Sequence, residues 1–140
     1  MAGHLVIPGG CSRIPASHEM IDKRQQYLRM EGRQVFKWAV RLIPEILNES
    51  LEMSGLALED IDLLILHQAN ERILTAAIDN LGIDADKVFM NIADYGNTSS
   101  ASVPISLNDA CNAGRVKRGD IVMLAGFGSG LTWATCMLRW

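Results

Sequence analysis

The chain is short of aromatic residues, of cysteine, of positive charge and of long apolar runs, and each shortage closes off a class of protein. Aromatic residues make up 6% of its 140 residues, so any core is filled by aliphatic side chains. The three cysteines, Cys11, Cys111 and Cys136, are odd in number, far apart and form no CxxC pair. That argues against a disulfide framework or a zinc site and for a reducing, cytoplasmic setting. Thirteen Lys and Arg stand against sixteen Asp and Glu, a net charge of −3, so there is no basic footprint for nucleic acid. No apolar stretch approaches the ~20 residues that a membrane span requires. Met1-Ala2-Gly3-His4 lacks the charged start and apolar core of a secretory signal, and none is expected.

What is present is a large aliphatic fraction. Apolar residues make up 49% and charged residues 21%, the composition of one folded domain, residues 1–140. So much apolar surface predicts either a well-filled α/β core or a face that another subunit covers. Leu5-Val6-Ile7-Pro8-Gly9-Gly10 reads as a short strand stopped by Pro and Gly. Residues 11–30 read as a polar excursion. From Glu31 to Met53, Val35, Phe36, Ala39, Val40, Ile43, Ile46, Leu47 and Leu51 recur at helical spacing, with a bend or restart expected at Pro44. Leu63-Leu64-Ile65-Leu66 reads as a strand buried on both faces. Residues 70–81 form a helix closed by Gly82, and residues 88–92 a second strand. Residues 99–112 form a helix whose opening hydroxyls cap it. Residues 121–125 form a third core strand, Gly126–Gly130 a turn, and 131–140 a last strand returning as a hairpin. The order predicts an α/β fold with a mixed, mostly parallel sheet, right-handed crossovers and helices on both faces.

Ligands of open α/β sheets gather at the carboxyl ends of strands. His67, in His67-Gln68-Ala69-Asn70, follows one strand directly; taken alone, a structural histidine is the plainer reading. Asn97, in Gly96-Asn97-Thr98-Ser99-Ser100, follows another; alone it reads as a turn residue. Together they place two neutral donors at two strand ends, the arrangement of an oxyanion site. The loop Gly126-Phe127-Gly128-Ser129-Gly130 follows a third strand. It has no Lys-Ser/Thr ending and is no phosphate loop, so it reads equally as a hairpin turn or as a close-approach loop with an exposed amide. The small residues of helix 99–112 (Ser99, Ser100, Ala101, Ser102, Ser106, Ala110) suit close approach of another helix, or else an ordinary surface helix. No nucleophile stands out. Cys111 lies late in a helix, and no carboxylate is placed to orient a serine–histidine pair.

These motifs, with Gly-Phe-Gly-x-Gly-Leu-Thr-Trp and Met30-Glu31-Gly32-Arg33-Gln34-Val35-Phe36-Lys37, resemble the C-terminal half of β-ketoacyl-acyl-carrier-protein synthase III, of the thiolase superfamily. The resemblance runs along the whole chain. It implies a half of a thiolase-like fold, with the nucleophilic cysteine on an N-terminal half not in this sequence. It implies an acyltransferase of fatty-acid synthesis that joins acyl-CoA to malonyl-acyl carrier protein by decarboxylative condensation, with no cofactor beyond the coenzyme A thioester itself. It assigns the catalytic pair to His67 and Asn97; to donate there, the imidazole has to be neutral with its proton on Nε2, and the sequence leaves the tautomer open. Gly128, Ser129 and Gly130 fall on the oxyanion loop, with Ser129 where relatives usually carry glycine. Met30, Gly32, Val35, Phe36, Ala39, Ala69, Asn70, Ile73 and Phe127 fall on substrate-channel positions, and Arg72 on a carrier-protein docking position. Leu131 stands where relatives often have Phe. It further implies that helix 99–112 packs against the other half, so that the lone chain self-associates as a homo-oligomer or binds that half. The rival readings are a non-catalytic scaffold that binds carrier protein or a synthase subunit, and a hydrolase using Ser99 or Ser100.

Overall fold

The structure, a computed structural model, describes residues 3–140. The reading of the first residues as no leader falls partly on Met1 and Ala2, outside the described residues. Two compact units make up the chain. One takes in the chain up to Trp38 together with Gly128–Thr132; the other takes in Ala39–Phe127 and Trp133–Trp140.

In the first unit β1 (Leu5–Val6) pairs antiparallel with β2 (Arg29–Met30), Leu5 opposite Met30. Between them lies α1 (His18–Asp22), so the expected polar excursion carries a helical turn and a strand of its own. Ser17 caps α1, its Oγ accepting from the Met20 amide at 3.1 Å. Gly9 is fixed by close approach. Its amide donates to Gln25 at 2.9 Å, and a Cβ built there would stand 2.6 Å from Met20 Cγ.

Helix α2 runs Gly32–Ser54 without a break. Pro44 therefore does not restart it. A proline removes one amide donor, but the stripe Ala39, Ile43, Ile46 and Leu47, each 0–3% exposed, keeps the helix seated on both sides of that gap.

The second unit is built on a four-stranded sheet in the order β4-β3-β5-β6. β3 (Leu63–Leu66) is buried at all four positions, as its unbroken apolar run predicts. It leads to α3 (Glu71–Leu81), which Asn70 caps through Oδ1 and Gly82 ends in the left-handed conformation at φ 72°. β4 (Val88–Phe89) is shorter than expected. Asn91 leaves the ladder, and α4 (Ile92–Tyr95) begins at Ile92. Ser99–Ala101 form a 3-10 turn before α5 (Ser102–Asn112), and no hydroxyl caps that helix. β5 (Ile121–Gly128) continues through Gly126 and Phe127, so the glycine-rich segment is mostly strand and only its end turns the chain. β6 (Thr132–Arg139) returns along the edge as the expected hairpin.

β3 runs parallel to β4 and β5, with Leu63 opposite Val122 and Leu66 opposite Ala125. One face of this sheet, Leu63, Ile65 and Val122, packs with Ala110, Val103, Leu107 and Cys111 of α5. The small residues of α5 point into the chain. Ser102, Ser106 and Ala110 lie four apart on one face and are 0–2% exposed. Of the six small residues expected to meet another half, these three are covered within this chain, two of them hydrogen-bonded to polar groups at the strand ends, while Ser99, Ser100 and Ala101 are exposed.

Candidate active site

The three parallel strands end together. β3 delivers His67, β5 delivers Phe127, and β4 leads through Asn91 and α4 to Gly96 and Asn97. His67 continues the β3 ladder for one more bond, its amide donating to Ala125 at 2.8 Å. Its ring meets Phe127 edge to face, with centroids 5.3 Å apart. Nδ1 lies 2.5 Å from Ser102 Oγ. The ring is half-buried, and loss of hydration lowers its pKa from the ordinary histidine value, which favours the neutral ring.

Asn97 is set by Gly96, whose φ of 68° a side-chain-bearing residue rarely adopts. Its Oδ1 accepts from the Ser99 amide at 2.9 Å, and its Nδ2 donates to the Ala69 carbonyl at 3.3 Å. Ala69 is two residues beyond His67, so both side chains lie at one end of the sheet. A carboxamide nitrogen carries two hydrogens. One is engaged by Ala69, and the other meets no acceptor among the described residues.

Beneath this pair runs a buried polar network. Gln68, 1% exposed, donates through Nε2 to the Leu66 carbonyl at 2.8 Å and accepts through Oε1 from the Asn91 amide at 3.2 Å. Asn91 Oδ1 accepts from Ser106 Oγ at 2.7 Å, and its Nδ2 donates to Asp109 at 2.8 Å. The phenol of Tyr95 hydrogen-bonds Asp109 in turn, and that bond, with the carboxylate's charge, raises the phenol pKa.

The family described as 3-oxoacyl-[acyl-carrier-protein] synthase III, C terminal, matches residues 51–140. The chain belongs to this family. It is 49% identical over 137 residues to the β-ketoacyl-[acyl-carrier-protein] synthase III of Caldanaerobacter subterraneus, which covers 98% of this chain and 41% of that protein. It is 46% identical over 136 residues to the synthase of Rhodopirellula baltica, 97% of this chain and 39% of that one. Among solved structures, a Thermus thermophilus synthase III superposes with a TM-score of 0.83 at 42% identity, over 99% of this chain and 42% of its own. A further 3-oxoacyl-(acyl-carrier-protein) synthase III reaches 0.92 at 30% identity, over 99% and 44%. The chain spans about two fifths of the length of the curated relatives it matches. The fold is thus the thiolase-like one that the motifs implied.

The remaining residues assigned by that likeness fall in both units. Ala69, Asn70, Ile73, Ala39 and Phe127 belong to the second; Ala39 is fully buried, Ile73 nearly so, and Asn70 works as the α3 cap. Arg72 is exposed in the first turn of α3. Met30, Gly32, Val35 and Phe36 belong to the first unit, as do Ser129 and Gly130. There Ser129 Oγ donates to the Leu5 carbonyl at 2.8 Å. Gly128 ends β5. The serine near the histidine is Ser102, neither Ser99 nor Ser100. At 2% exposure it is no nucleophile, and it faces Nδ1 rather than an open site. Cys111 packs in the core, while Cys11 and Cys136 are exposed. Ser102, Gln68, Asn91, Ser106 and Asp109 escaped the sequence reading. Their signal was the 102–106–110 spacing, which reads equally as packing. Among the described residues no cluster of His, Cys, Asp or Glu is arranged to hold a metal, and no helix is long and apolar enough to cross a membrane.

Proposed function

We propose that this chain is the C-terminal half of a condensing acyltransferase of fatty-acid synthesis and that His67 and Asn97 are its decarboxylation pair. The observation that carries the reading is their joint placement: a neutral imidazole, and a carboxamide bonded to the carbonyl two residues beyond it. Two neutral donors at one point suit the oxygen of a malonyl thioester, which gains negative charge as the C–CO2 bond breaks. A cationic histidine would instead pair with the malonyl carboxylate before it leaves, so the depressed pKa works in favour of the reaction.

In this scheme a cysteine of the N-terminal half takes the acyl group from acyl-CoA and releases free coenzyme A. Malonyl-acyl carrier protein loses CO2, and its enolate attacks the acyl-cysteine thioester. The cysteine thiolate leaves, and a β-ketoacyl-carrier protein forms. No resident cofactor is required. The likeness gives the loop Gly128–Gly130 the role of lending backbone amides and Arg72 that of meeting the acidic carrier protein. It gives thioester-channel roles to Met30, Gly32, Val35 and Phe36 of the first unit and to Ala69, Asn70, Ile73 and Phe127 of the second, whereas Ala39 is fully buried within its own unit. The assembly works in the cytoplasm as a homo-oligomer of paired halves.

The test is CO2 release from malonyl-carrier protein by the complex of this chain with the cysteine-bearing half. Removing an oxyanion donor by His67→Ala or Asn97→Ala should slow release ~10²–10³-fold. Undiminished release would leave the chain a scaffold for carrier protein. Condensation by the chain alone would mean that it holds its own nucleophile.

A further inference from the structure

We infer that Ser102 is a positioning residue that selects the tautomer of His67, keeping the ring proton on Nε2 and leaving Nδ1 as an acceptor. Protons can be counted around one oxygen. Ser102 Oγ has two polar neighbours: the Gln68 amide at 3.2 Å and His67 Nδ1 at 2.5 Å. A peptide N–H can only donate, so Oγ accepts from Gln68. The hydroxyl's own proton still needs an acceptor, and Ser102 is 2% exposed, so water does not supply one. Among the described residues the only acceptor within reach is Nδ1. Were Nδ1 protonated, Oγ would face two donors and its hydroxyl proton would be stranded, a costly state for a buried donor. The hydroxyl therefore donates to Nδ1, and the neutral ring carries its hydrogen on Nε2.

The surroundings hold this arrangement in place. Gln68 is anchored at both ends of its amide, by the Leu66 carbonyl and the Asn91 amide, so its backbone N–H stays aimed at Oγ. Phe127 lies edge to face with the imidazole, against a ring flip that would exchange Nδ1 for carbon. Four residues on from Ser102, Ser106 bonds Asn91 and fixes the same face of α5. The catalytic meaning rests on the function proposed above: with the proton on Nε2 the ring donates to an enolate oxygen, and with it on Nδ1 a lone pair would oppose that oxygen.

The tautomer itself is measured without turnover. In the chain carrying ¹⁵N-histidine, long-range ¹H–¹⁵N spectra at neutral pH distinguish protonated from bare ring nitrogens. His67 is assigned among the three histidines by the signals lost in His67→Gln. The wild-type ring should show a protonated Nε2 and a bare Nδ1, in at least about tenfold excess over the other tautomer. Ser102→Ala should cut that excess severalfold, and Ser102→Thr, which keeps the hydroxyl, should restore it. A protonated Nδ1 in the wild type overturns the inference even if Ser102→Ala fails to fold. So does an unchanged ratio in a Ser102→Ala chain whose backbone amide spectrum remains native. Failure of the condensing reading appears elsewhere, as undiminished CO2 release after His67→Ala, and leaves the nitrogen shifts as they are.

Discussion

Asn91→Ala is the sharpest test of the buried network as the support of the site. Asn91 is 6% exposed, and its side chain makes two hydrogen bonds that alanine deletes. The bond from Ser106 is neutral, with a net worth of about 1 kcal/mol. The bond to Asp109 is charge-assisted, nominally about 1.5–3 kcal/mol. Asp109 is only half-buried and regains water, so the lower figure applies. Ser106 is fully buried and cannot. The sum is a loss of about 2.5 kcal/mol, which at a urea slope of about 2 kcal/mol per molar lowers the unfolding midpoint by roughly 1 M. The double variant Asn91→Ala with Ser106→Ala removes the stranded hydroxyl together with its partner. Its destabilisation should fall short of the sum of the two singles by about 1 kcal/mol. Urea unfolding of the four chains by circular dichroism measures every value. A loss below about 0.5 kcal/mol for Asn91→Ala, or strict additivity, would mean that the network carries no energy and that packing alone holds the strand ends.

Two further expectations concern titration and backbone. Burial lowers the pKa of His67, so its NMR titration should have a midpoint below the ordinary ~6.5. The unfolded chain then binds that proton more readily than the folded one. The stabilising contribution is complete above about 6.5 and declines as the pH falls from there through the folded value, a decline that His67→Gln should abolish. A midpoint at or above 6.5 refutes it. Gly82→Ala puts a side chain at φ 72° with open space around it, so it should cost about 1 kcal/mol from conformation alone. Gly126→Ala, in extended backbone with the same open space, should cost less than about 0.5 kcal/mol in the same urea assay. Equal costs would contradict β5 as a strand through Gly126.

Which parts of this architecture were legible beforehand follows from the range of the forces involved. β3 was read at its observed bounds because four apolar residues between Asp62 and His67 satisfy only a strand covered on both faces. The ends of α3 were read because Asn70 and Gly82 act within a few residues of themselves. The apolar pattern over residues 88–92 overstates β4, because Asn91, although next to apolar residues, leaves the ladder for Gln68, Ser106 and Asp109, partners up to 23 residues away. Gly126 and Gly128 suggest a turn because glycine marks turns on average, yet β5 runs on through both before the chain returns as β6.

The same range argument separates the two layers of the site. His67 and Asn97 were visible because each follows a strand, and strand ends of a parallel sheet meet whatever lies between them. The residues that orient them were not. Ser102 and Ser106 sit on α5 at a spacing that close packing and hydrogen bonding both produce, and only the partner across the sheet tells them apart. Three of the six small residues read as a contact for another half face inward here, and one of them, Ser102, supports His67. A chain can therefore display its reacting groups in its sequence while hiding the groups that set their protons. For this family member the distinction is concrete, since the donors predicted for an enolate are legible and the hydroxyl that makes one of them a donor is not.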